Sequence, residues 1–169
     1  MKILFLAHYK NADGMGILAQ NIILALHKCD IDLVFRHIDN GKPIGPTHQL
    51  LLPIENESLT NCTHCIQFLD TDYIIGTKKF EKNIAIVHEI NENSMYNLLL
   101  MDEIWVFDND LKETIINNLQ INNVVKIDPV LNSDKDKLRY IYSDKNIEVD
   151  FERFSIQSVG SKMKEMLGA

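Results

Sequence analysis

Six short apolar runs, rich in branched and aromatic residues, punctuate the first three quarters of the chain and alternate with stretches of helical periodicity. That alternation constrains the fold more than any other feature. Strands separated by helices pair in parallel, and a parallel sheet is covered on both faces, so its strands read as unbroken apolar runs. The runs are Lys2–Ala7, Asp32–Ile38, His64–Leu69, Ile84–His88, Glu103–Phe107 and Val124–Ile127. Met15, Leu18, Ile22, Ala25 and Cys29 recur at helical spacing, and no charge falls between Gly14 and His27, which predicts a largely buried helix over Met15–Cys29. Asn93–Met101 reads as a short helix capped by Asn93 or Ser94. Leu111–Leu119 reads as another, opened by Asp110 with Glu113 three residues on. The fold class is α/β: a Rossmann-like parallel sheet flanked by helices.

At 169 residues the chain has room for one such domain. Pro129 and the charged stretch Ser133–Lys137 mark its exit, which divides the chain into 1–131 and a linker and tail over 132–169. In the tail, Ser155 caps a helix whose Ile156, Val159, Met163, Met166 and Leu167 share one apolar face, closed by Gly168. A lone amphipathic helix is marginal in water, so this one is expected to dock on the sheet domain or on a partner.

The net charge of −7 argues against nucleic acid or an anionic membrane as partner, since both attract basic faces. The excess lies in 1–131, with 10 basic against 17 acidic residues, while 132–169 balances at 7 against 7. No apolar run approaches the length of a transmembrane helix, and the Ile3–Ala7 run is cut short by His8, Tyr9 and Lys10, unlike a signal peptide. A cytoplasmic location is expected, with three reduced cysteines.

Ligands of open parallel sheets bind beyond the carboxyl ends of the strands. Those ends carry His8-Tyr9, His37-Ile38-Asp39, Asp70, His88-Glu89 and Asp108. Polar residues are also what any strand needs on entering a loop. The pair His88-Glu89 stands out, because an imidazole beside a carboxylate can act as a base or hold a sugar hydroxyl. Asp13-Gly14-Met15-Gly16 precedes the first helix and would let backbone N–H groups face a phosphate; a tight turn with positive φ explains the glycines equally well. The full dinucleotide-binding pattern is absent, since position 19 is Ala. Cys62-Thr63-His64-Cys65 has the spacing of a zinc or redox pair, but only His48 is near and Cys65 enters a strand, so small residues leading into a strand is the plainer reading.

Lys2–Ala7, Gly14-Met15-Gly16, Gln67 to Asp70, Lys82–Glu89 and above all Met101-Asp102-Glu103-Ile104-Trp105-Val106-Phe107, followed by Leu111–Ile115, resemble the N-terminal half of GT-B-fold glycosyltransferases of the family 4 type. The resemblance covers residues 1–131. It implies an acceptor-binding domain that works with a second, donor-binding domain on a nucleotide-sugar. It places Gly14 and Gly16 near the donor phosphates, His88 beside the transferring sugar, and Glu89 at an often acidic position. His88 and Glu89 are thus the catalytic candidates, and His8, Tyr9, Asp13, Gly14, Met15, Gly16 and Asp70 the substrate-binding ones. The family is metal-independent and no cofactor is expected. No E-x7-E pair follows Pro129, so a donor-binding partner is expected, as a homo- or hetero-oligomer. The tail from Phe151 to Leu167 is similar to the returning terminal helices of that family. The competing reading is a non-catalytic α/β binding or regulatory protein.

Overall fold

The computed structural model describes residues 1–55, 57–130 and 155–169. The linker stretch Ser133–Lys137 and the start of the tail at Phe151 lie outside the described residues. Strands β1 (Lys2–Ala7), β2 (Asp32–His37), β3 (His64–Phe68), β4 (Lys82–Val87), β5 (Glu103–Val106) and β6 (Val124–Lys126) form one sheet in the order β2-β1-β3-β4-β5-β6. Every pairing is parallel; Phe5 of β1, for instance, lies between Phe35 of β2 and Ile66 of β3. The fold is the expected α/β, Rossmann-like one.

Alternate residues of each strand enter opposite cores, which is why the runs carry no polar alternation. Ile3, Phe5, Ile84, Ile86 and Trp105 face the core that holds α1 (Gly14–Lys28). Ala85, Val87, Ile104 and Val106 face the other, closed by α2 (Asn109–Leu119) and a 3₁₀ segment over Met95–Leu100. Trp105 is fully buried, and its indole N–H is satisfied by Glu103 at 2.6 Å, which pairs in turn with Lys82 at 2.5 Å. Asp102 accepts the Asn83 amide at 2.7 Å and ties the start of β5 to β4.

Two local expectations are corrected. The short helix expected over 93–101 is a 3₁₀ segment confined to Met95–Leu100, and Ser94, at its N-cap position, makes no side-chain cap bond; its hydroxyl pairs with Thr71 at 2.7 Å. Short 3₁₀ segments of this kind commonly serve as connectors between elements. The cap of α2 is Asp108, which accepts from Leu111 at 2.7 Å; Asp110 lies inside the first turn.

The tail helix α3 (Ile156–Leu167) docks where its apolar face predicts. Val159, Met163 and Leu167 are buried in the α1-side core, with Ile156 and Met166 packed at its rim. Ser155 caps it, accepting from Ser158 at 3.2 Å, and Gly168 closes it with φ +73°. Lys162 pairs with Asp128 at 2.8 Å, and Lys164 donates to the carbonyl of Cys29 at 2.9 Å, at the carboxyl end of α1. Among the described residues no helix is long and apolar enough to cross a membrane.

Candidate functional site

The carboxyl ends of β3 and β4 bring Asp70, His88 and Glu89 together, with one donor atom of each within 4.8 Å of the others. His88 Nε2 lies 3.4 Å from Glu89 Oε1. Asp70 and His88 are half-buried and Glu89 is exposed, so the cluster opens to solvent on one side. The two loops that carry it are braced against each other. Thr71 binds Ser94 and the Asn91 amide (3.3 Å), Asn97 donates to the Thr71 carbonyl (3.0 Å), and Asn91 donates to Asp72 (3.1 Å).

Burial holds the His88 imidazole below its ordinary pKa, against the opposite pull of Glu89 and Asp70. The ring is therefore neutral near pH 7 and can accept a hydrogen bond or a proton. Its edge rests on Phe68, with ring centroids 6.0 Å apart.

His8 is nearby but closed. Its Nδ1 is 2.6 Å from the Ile38 carbonyl, which puts the proton there, and Nε2 accepts the Asp70 amide at 3.3 Å. With both nitrogens engaged and only 6% of its surface exposed, His8 orients Asp70 rather than a ligand. From the other side, Asn40 donates to Asp70 Oδ2 at 3.2 Å and accepts from Asn11 at 3.2 Å. Asn40 and Asn11 were not singled out from the sequence. Their contact joins the loops after β1 and β2, and nothing in local spacing signals it.

Tyr9, Asp13, Met15 and Gly16 each make contacts within the fold. Tyr9 is a core residue: its ring packs edge-on against Phe35 and His37, and its hydroxyl donates to Glu55, which also pairs with Lys10. Burial, and then that carboxylate, push the phenol pKa up. Asp13 caps α1, accepting the Gly16 amide at 2.9 Å, and pairs with Lys42 at 3.4 Å. A Gly16 amide already held by a carboxylate is not offered to a donor phosphate. Met15 packs at the rim of the core. Neither Gly14 nor Gly16 has positive φ. Gly16 is required for a different reason: a Cβ there would stand 2.0 Å from the Asn11 carbonyl oxygen.

Cys62 and Cys65 lie at the opposite, amino edge of the sheet, where β3 begins; both are free thiols, and burial pushes the Cys65 pKa up to about 12. His48 caps a 3₁₀ turn over Gln49–Leu51 instead of joining them. A cavity of about 310 Å³ lies between α3 and the end of β6, its lining including Asn109, Lys126, Asp128, Val159, Lys162 and Met166.

No protein-family model, no curated protein and no solved structure matches this chain.

Proposed function

We propose that this chain is the acceptor-binding half of a glycosyltransferase, completed by a donor-binding domain that presents a nucleotide-sugar. The observation that carries the reading is the neutral imidazole of His88 set beside the carboxylates of Asp70 and Glu89 on the open carboxyl edge of the sheet. Three adjacent acceptors suit vicinal hydroxyls, which are donors with fixed spacing. His88 would take the proton, or the hydrogen bond, of the hydroxyl nearest the transferring sugar, and Glu89 would hold its neighbour. The resemblance of Met101–Phe107 to the family 4 type supports the same reading. In that motif Asp102, Glu103 and Trp105 build the sheet, so it speaks for ancestry rather than for chemistry.

The competing reading is a non-catalytic binding protein. It is favoured by His8, Tyr9 and Asp13, which are spent on internal contacts.

The test is amide NMR of the full chain titrated with a panel of sugars and polyols, alongside turnover of nucleotide-sugars. We expect shifts confined to Asp70, His88, Glu89 and their loops, and no turnover by the chain alone. A panel that moves none of these signals overturns the acceptor site. Turnover by the chain alone overturns the need for a donor-binding domain.

A further inference from the structure

We propose that Asp70, His88 and Glu89 bind a single divalent transition-metal ion of the zinc or manganese class at the carboxyl edge of β3 and β4. The sequence reading assigned no metal to these residues. Each offers one ligand atom, and the three atoms lie within 4.8 Å of one another. The separation of His88 Nε2 and Glu89 Oε1, 3.4 Å, is what two ligands at about 2.1 Å subtend around a tetrahedral centre. Among the described residues no other group of three such side chains converges.

The donor set selects the class of ion. One imidazole with two carboxylates balances a charge of +2, and the nitrogen disfavours calcium and magnesium, which take oxygen ligands. The outer contacts are those a metal ligand needs. Asn40 orients the Asp70 carboxylate and His8 holds its backbone, while the Thr71–Ser94 and Asn91–Asp72 bonds fix the loop of Asp70 to that of His88. Three protein ligands on one side leave positions open towards solvent, where water, a hydroxyl or a phosphate oxygen could coordinate. The site uses the same three side chains as the acceptor reading, with the ion taking the place of a hydroxyl on His88 Nε2, and ion binding is measured apart from sugar transfer.

Calorimetric titration of zinc chloride and of manganese chloride into the chelator-treated, tag-free full chain tests it with no sugar present. We expect one ion per chain for at least one metal. Glu89→Gln and His88→Ala should each weaken binding by roughly tenfold or more, and Asn40→Ala by about tenfold. Cys62→Ser with Cys65→Ser should leave binding unchanged. Glu89 is exposed, so its substitution keeps the fold, and circular dichroism verifies the other variants. The proposal is overturned if neither ion binds at millimolar concentration. It is equally overturned if Glu89→Gln binds like the parent chain, or if binding disappears with the cysteines.

Discussion

Gly16 shows how a glycine in a loop before a helix can be demanded by packing alone. Its missing Cβ is what lets the amino end of α1 settle on the Asn11 carbonyl, and a methyl group there would stand 2.0 Å from that oxygen, a backbone atom unable to swing aside. Gly16→Ala, which elsewhere in a helix is stabilising, should therefore destabilise the chain by about 3 kcal/mol, the upper end for overpacking. Urea unfolding of the two proteins decides it, and an unchanged midpoint would sink the packing account. Titratable side chains predict a pH dependence as well. Burial lowers the pKa of His37 and of His64, so each contributes stability above the ordinary histidine value, about 6.5, that is lost as pH falls through the folded value. Lys10, and then the Tyr9 hydroxyl, hold the Glu55 carboxyl low, so its contribution is present above about 4.3 and is lost on further acidification. Unfolding free energy should fall in two stages on acidification, and Glu55→Gln should flatten the lower stage. Denaturation series across that range measure both; a Glu55→Gln profile parallel to that of the parent chain below pH 5 would count against the assignment.

At the scale of elements, two helices carry predictions whose signs the structure decides. Gly160 lies where α3 meets α1, and a Cβ there would come within 2.5 Å of the Ala25 carbonyl oxygen and 2.7 Å of Cys29 Sγ. Helix propensity alone favours alanine over glycine by about 1 kcal/mol, yet contact with a backbone oxygen outweighs it. Gly160→Ala should lower the melting temperature, and a rise would show that the helices part freely. Asp108→Ala should cost about 1 kcal/mol as the true cap of α2, whereas Asp110→Ala should cost little; equal costs in thermal unfolding would contradict the cap geometry. The spacing of Asp110 to Glu113 points to Asp110 as the cap, whereas the helix opens two residues earlier, on Asp108, which the sequence marks only as a strand end. Strand positions were legible to within two residues, because each strand buries both faces and so writes itself as an unbroken apolar run. The site was legible only in part. Asp70, His88 and Glu89 sit at strand ends, where the architecture places ligands. The inward turn of Tyr9, the engagement of His8 and the Asn11–Asn40 contact depend on residues about thirty or more positions away, and no local pattern encodes them.

For the whole molecule, the question is what the last fifteen residues do for the rest. The side chains of Val159, Met163 and Leu167 complete the core on the α1 face of the sheet. That face also holds Ile22, Ile23 and Leu26, among the most apolar stretches of the chain. Burying one such side chain contributes roughly 1.5–3 kcal/mol, so three of them supply an amount comparable with the net stability of a domain this size, about 5–15 kcal/mol. Removing residues 155–169 would take away that contribution and leave the outer face of α1 open to water, where a patch of apolar surface invites association. The chain shortened to residue 154 should therefore melt well below the full chain, by ten degrees or more on the usual scaling for a domain of this length, and should bind a hydrophobic dye that the full chain does not. Met163→Ala in the full chain should move in the same direction by about 2–5 kcal/mol, because Met163 is wholly buried between α1 and the sheet edge. Thermal unfolding and dye binding read both effects. A shortened chain that melts with the full one, and a Met163→Ala variant as stable as its parent, would mean that α3 rests on the surface instead of completing the core.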